Sequence, residues 1–344
     1  MERVLTPPIE ESDTITGPIR SNAVDIVKGF AILLVTYEHT AQGMSSRGWW
    51  DGPSRIYSNV FVYSFHMPAF FFVAGLFVAG SIKRRGPKDF ILDKSQTLLY
   101  LYLFWAVLLS AIEPIVTRFK NSHHPVDWRA FPVHLIDGTE GWFFPVLFLC
   151  FMLALLTIKL PAWLRLALAV VAAMLMPNRG YEVFYKTVWH FSFLAAGMLV
   201  GRSIFKLSAI PRSIALIAAA AVFAIQFAVV RHFGGFIEFG IYPQRAAVIL
   251  GLTGTAGLLL LARTIDNTPL GAAWAWIGQA SLGIFLLAQF PQGATRQFLL
   301  SVCHTNEFWL QLILPTIVCT LVPAIIWHQQ KRWRIAWLFR WPFN

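Results

Sequence analysis

The chain has 344 residues, 57% of them hydrophobic, 15% aromatic and only 13% charged, with a mean hydropathy of +0.60. Soluble domains carry about 25% charged residues, so the composition excludes an ordinary water-soluble globule and points to a protein solvated by lipid. The net charge of +11 does not indicate nucleic acid, because the basic residues fall in short clusters between apolar runs rather than along one soluble face.

The first 22 residues are polar, with Pro7 and Pro8, and read as a short disordered tail rather than a cleaved signal peptide. A spanning helix needs roughly 20 mainly apolar residues. Ten segments approach that scale: 23–41, 57–80, 95–117, 142–158, 162–177, 187–201, 212–231, 243–262, 274–291 and 308–327. The expected architecture is an all-α polytopic membrane bundle of about ten transmembrane helices, one domain over 23–327, followed by a basic-aromatic tail over 328–344. With the N-terminus inside, 18 of the 28 Lys and Arg fall on inside segments against 10 outside, as the positive-inside rule requires of a protein with both termini cytoplasmic. The alternating tail Lys331–Trp341 suits a helix lying on anionic lipid. Cys150, Cys303 and Cys319 are too scattered for a disulfide framework or a metal motif. The polar stretch 118–141, with His123, His124, His134 and Asp137, fits no zinc spacing and reads as a loop.

Ionisable groups inside a spanning helix are expensive and default to functional candidates. The first segment holds Asp25, Lys28 and His39. Lys28 and His39 are 11 residues apart, about three turns, and so share one face roughly 16 Å apart along the axis. Asp25, three residues before Lys28, joins that stripe. Glu38 lies about 100° around the helix and faces another helix or the outer surface, where it is a candidate for acceptor binding. In the second segment His66 precedes Pro68, which loosens the helix beside it, and Gly75, which permits close packing. His39 and His66 fall at a similar depth, which predicts a shared polar cavity or a structural hydrogen bond between them. Arg245, near the outer start of the eighth segment, is a candidate for a glycan carboxylate or phosphate, or an interfacial snorkelling residue.

The run Asp25 to His39, followed by Phe65-His66-Met67-Pro68 and a Phe-rich stretch ending in Gly75, resembles the acyltransferase-3 family of integral membrane acyltransferases, in its fucose 4-O-acetylase-related branch. The Lys28-x10-His39 spacing matches the family's basic-x10-His motif. Gly141-Trp142-Phe143-Phe144-Pro145 looks like its Trp-Phe motif, and Phe193 to Gly201, with Gly197, like its glycine-containing helix. The family's Arg-x-x-Arg pair is absent, with Lys94 and Thr97 in that neighbourhood. The resemblance implies ten transmembrane helices in a bacterial inner membrane, acyl-CoA (acetyl-CoA above all) as the donor, and transfer to a hydroxyl of a sugar or cell-surface glycan. It makes His39 the catalytic residue and Lys28 part of the donor site.

Acyl transfer from a thioester to an alcohol needs a base for the hydroxyl proton and donors for the developing oxyanion. His39 is expected as that base or as a transient acyl carrier, with His66 orienting it or stabilising the oxyanion. Lys28, Asp25 and Lys94 are assigned to the donor's phosphate end. No metal and no permanently bound cofactor is expected. A transporter or flippase for a glycan or lipid-linked precursor would share the bundle and its intramembrane charges; paired inverted repeats would mark it, and none is evident. A purely structural protein would lack a continuous cavity reaching His39.

Overall fold

A computed structural model describes residues 22–116, 135, 141–176, 182–233 and 244–342. The expected N-terminal tail and most of the polar stretch 118–141 lie outside the described residues. Thirteen helices follow in order among the described residues: α1 (Asn22–Ser45), α2 (Pro53–Tyr63), α3 (His66–Lys94), α4 (Tyr100–Val116), α5 (Phe143–Leu156), α6 (Ala162–Leu175) and α7 (Glu182–Val200), then α8 (Arg212–Phe233), α9 (Gln244–Ile265), α10 (Pro269–Gln279), α11 (Ser281–Leu287), α12 (Gln289–Ser301) and α13 (Phe308–Gln329). A π-helical turn, Ser95–Leu99, joins α3 to α4, and a 3-10 segment, Gly201–Ala209, follows α7. No described residue is in a strand.

Among the described residues every predicted apolar segment falls mainly on helix, and the chain is an all-α membrane bundle. By length and composition, five helical stretches suffice to cross a membrane: Pro53–Ile112, Glu182–Ala209, Arg212–Phe233, Ala247–Ile265 and Phe308–Gln329. The pair Pro269–Gln279 and Ser281–Leu287, bent by 53°, makes a sixth if it is one broken span. Two further helices, Phe143–Leu156 and Ala162–Leu175, are apolar but shorter. α1 has 24 residues, yet Asp25, Lys28 and Glu38 leave it too polar to qualify. Instead it is enclosed by protein, touching α2, α3, α9, α10, α11 and α13.

Two seams of glycine bring the central helices together. A Cβ at Gly75 of α3 would collide with the Leu194 carbonyl of α7, and one at Gly197 of α7 with the Phe72 carbonyl of α3. Gly29 of α1 and Gly278 of α10 approach equally closely, each facing backbone of the other helix at Trp274 and Asp25. Between helices in lipid, contact is driven by van der Waals packing, and small residues let backbones approach. Thr268 caps α10 by accepting from the Gly271 N–H at 3.0 Å, with Pro269 at the first helical position.

The second predicted segment is broken. Phe65, at φ −136°, leaves the helical region between α2 and α3, and Pro68 in the first turn of α3 has no N–H to return to the Ser64 carbonyl. Side chains repair the break: the Ser64 hydroxyl donates to the Phe61 carbonyl at 2.7 Å, and Gln226 of α8 donates to Ser64 Oγ at 2.6 Å. Further along, α3 is interrupted at Gly86 (φ 78°), followed by Pro87, amid the exposed cluster Lys83, Arg84, Arg85 and Lys88. The C-terminal tail is not the continuous surface helix its pattern suggested. It turns at Arg334 (φ 57°) and folds back as a short 3-10 turn, Ala336–Leu338, because Phe339 finds a buried place against Trp327.

The seams make a direct prediction. Gly197→Val should abolish the monodisperse peak in size-exclusion of detergent-solubilised protein, because nothing but backbone can yield there. Gly293→Ala, whose Cβ meets nothing within 4 Å, should leave both peak and melting temperature unchanged.

Candidate active site

A cavity of about 320 Å³ opens beside the second half of α1. α1 lines it with Thr36, Glu38 and His39, α2 with Tyr63, and α3 with His66 and Met67. Tyr102 and Trp105 of α4, with Trp142 before α5, form one wall; Phe285, Gln289, Gln292 and Cys319 form another. His39 is exposed to this space, whereas Thr36, Glu38 and Thr40 around it are buried. The two sequence-predicted histidines therefore do share a cavity, in which their polar groups stand among aromatic and aliphatic walls.

The Val62 carbonyl accepts from His66 Nδ1–H at 2.7 Å, which fixes the tautomer and leaves Nε2 as an acceptor. Tyr63 packs edge-on against the ring at 4.9 Å. Glu38 does face another helix: the Arg55 guanidinium of α2 grips both its oxygens, and Asn59 Nδ2 donates to Oε1 at 2.7 Å. Both charged side chains are 3% exposed, and Arg55 also lies over the Trp50 ring at 5.6 Å. This pair sets the polarity of one end of the cavity without leaving an unbalanced charge there.

The predicted donor residues lie elsewhere. Lys28 Nζ pairs with Asp25 Oδ1 at 2.6 Å near the start of α1, where Asp25 is buried and Lys28 is partly open. Lys94, at the end of α3, pairs with Asp93 at 2.8 Å and lies over the Phe90 and Phe151 rings. None of these three lines the cavity with His39. Arg245 falls in the first turn of α9, with its side chain outside the described residues. Among the described residues no group of three His, Cys, Asp or Glu is arranged to hold a metal.

Other polar residues went unread in the sequence. His190 of α7 is buried between Phe71 (4.3 Å) and Trp142 (5.1 Å), and its Nδ1–H donates to the Lys186 carbonyl at 2.7 Å. Lys186 Nζ sits 4.5 Å above the same Trp142 ring, so the cavity wall at Trp142 is clamped from α7. A histidine inside the apolar run Glu182–Val200 was the available signal. Arg55 and Asn59 gave none, because they sit in a short helix whose burial depends on its neighbours. Arg296 of α12 is 5% exposed, donates to the Thr40 carbonyl at 2.9 Å, and meets no carboxylate among the described residues.

The fold and the site together define an all-helical membrane protein with a histidine-bearing cavity inside its bundle. The sequence model of the acyltransferase-3 family, an acyltransferase domain, matches residues 21–328, and the chain belongs to that family. A nodulation protein, NolL, of Sinorhizobium fredii (strain NBRC 101917 / NGR234) is 31% identical over 178 residues. The alignment covers 50% of this chain and 46% of NolL, so the chain spans about half the length of that relative. No solved structure matches.

The buried ion pair gives a stability test. Arg55→Leu leaves Glu38 buried without its counter-ion and should cost about 3–5 kcal/mol. The double variant Arg55→Leu/Glu38→Leu should recover most of that, since exchanging a buried pair for packed apolar side chains is close to neutral. Thermal unfolding in detergent of the four proteins of the cycle measures it.

Proposed function

We propose that this protein is a membrane-bound O-acyltransferase that moves an acyl group, acetyl in the first instance, from acyl-CoA to a hydroxyl of a sugar or cell-surface glycan. One observation carries the reading: in a chain of this family, His39 is an exposed histidine on a cavity that His66 also lines, between buried Thr36, Glu38 and Thr40. His39 takes the acceptor's hydroxyl proton as the oxygen attacks the thioester carbonyl. The C–S bond then breaks, and the leaving CoA thiolate receives that proton from the imidazolium. His66, held as the Nδ1–H tautomer, orients His39 through Nε2, and Glu38 and Arg245 serve the acceptor.

The donor's phosphates bind at Lys28, near the start of α1 and held by Asp25, and at Lys94, at the end of α3, and the thioester reaches inward along the α1 stripe. A cavity of about 320 Å³ is at the lower limit of small-molecule sites, which suits a short acyl group and one sugar hydroxyl rather than the whole coenzyme. The protein sits in a bacterial inner membrane with both termini cytoplasmic, and α1 with the two shorter apolar helices completes a bundle of about ten spans. Enclosure of α1 by other helices supports its crossing as an inner, protein-solvated helix.

Turnover of acetyl-CoA by purified protein in nanodiscs tests the reading. His39→Ala should lower kcat by about 10²–10⁴-fold, the range of a lost general base. Full turnover in His39→Gln removes the base assignment, and labelled acetyl retained on wild-type protein but absent from the variant makes His39 an acyl carrier instead. Lys28→Ala should raise KM for acetyl-CoA with little change in kcat, the pattern of lost ground-state binding.

A further inference from the structure

We propose that the folded C-terminal tail and the outer face of α4 form a binding site for one anionic phospholipid, its phosphate held by Lys331, Arg334 and Arg340 and an acyl chain laid along α4. Two adjoining hollows carry the inference. The first, about 420 Å³, is walled by those three basic side chains with Trp337 and Trp341. All three cations are exposed, and none forms a salt bridge with a described carboxylate. The second, about 510 Å³, is an apolar groove lined by Leu99, Leu103, Phe104 and Val107. Trp341 belongs to both, so the cationic pocket runs into the groove.

The site is built rather than incidental. Tyr100 Oη donates to the Trp337 carbonyl at 3.0 Å, and Trp105 Nε1–H donates to the Leu338 carbonyl at 2.9 Å. Phe339, 2% exposed, anchors the turn against Trp327, and Trp341 meets the Tyr100 ring edge-on at 5.2 Å. Arg334 holds a positive φ (57°) within this turn, a conformation that non-glycine residues adopt at a cost.

The ligand presents an anionic headgroup and lays one of its two hydrocarbon chains against protein, which is what a phosphate pocket ending in an apolar groove selects. Position separates it from the acyl donor. Tyr102, Trp105 and Leu109 of α4 line the histidine cavity, whereas Leu99, Leu103 and Val107 line the groove on the other side of the same helix. Leu103 and Val107 are 51% and 52% exposed, as a surface turned to hydrocarbon would be. A molecule in the groove therefore braces α4 from outside the cavity; the inference rests on the membrane placement but not on the acyl-transfer chemistry.

The test is lipid retention by native mass spectrometry of the full chain in neutral detergent, with phosphatidylglycerol and phosphatidylcholine of matched chains. Wild type should retain one phosphatidylglycerol in preference to phosphatidylcholine. Arg334→Gln/Arg340→Gln should weaken that retention by about thirty-fold, the effect of two interfacial cations. Arg332→Gln, exposed but outside the pocket, should not. Leu103→Trp, which fills the groove, should lower retention with the cations intact. Equal retention of the two lipids, or unchanged retention in the double variant, overturns the proposal. Displacement of phosphatidylglycerol by free CoA at the same pocket overturns it too, in favour of a donor-phosphate site. Acetyl-CoA turnover of the same samples reports separately on the catalytic reading.

Discussion

Hydrocarbon offers no partner to a polar group, and α1 carries Asp25, Lys28, Glu38 and His39 through the middle of the bundle. Much of the architecture answers that demand. Lys28 answers Asp25 within the helix. Glu38 is met by Arg55 and Asn59 from α2. Thr36 reaches Thr320 of α13 at 2.8 Å, and Arg296 of α12 reaches the Thr40 carbonyl. Of these four, His39 is the most exposed, and it stands on the cavity. A helix so polar is surrounded by other helices of the bundle.

That enclosure depends on close backbone contact. The Gly29–Gly278 and Gly75–Gly197 approaches draw α1 onto α10 and α3 onto α7, which leaves room for a small cavity rather than a wide channel. The same economy of space explains the broken α2–α3 segment. Pro68 cannot support the Ser64 carbonyl, and the backbone breaks at Phe65. Beside that break the Val62 carbonyl accepts from His66 Nδ1–H and sets its tautomer, as the Lys186 carbonyl does for His190 in the unbroken α7.

α4 links the two faces of the molecule. Its inner side supplies Tyr102 and Trp105 to the cavity, while Tyr100 and Trp105 also hold the C-terminal tail by their polar atoms. Trp142, on the adjoining wall, is fixed from behind by His190 and Lys186. The site is therefore bounded by aromatic rings whose positions are set by groups outside the cavity, which limits how far its walls can relax around a ligand.

The sequence by itself determined the all-helical membrane class, the family and the pairing of His39 with His66 at one depth. The class follows from composition, the family from the resemblance of its motif residues around Lys28, His39 and Phe65-His66-Met67-Pro68, and the pairing from helix rise counted along two adjacent segments, all properties local to the chain. It did not determine that Glu38 would be held by Arg55, that His190 would stand behind Trp142, or that the tail would fold back onto α4 instead of lying as a helix. Each of those joins residues far apart in sequence, and periodicity carries no information about which helix faces which. The number of crossings was likewise not legible: a broken second segment, a 53° bend and a polar first helix separate helix formation from membrane span. Only tertiary packing decides whether a helix is solvated by lipid or by its neighbours.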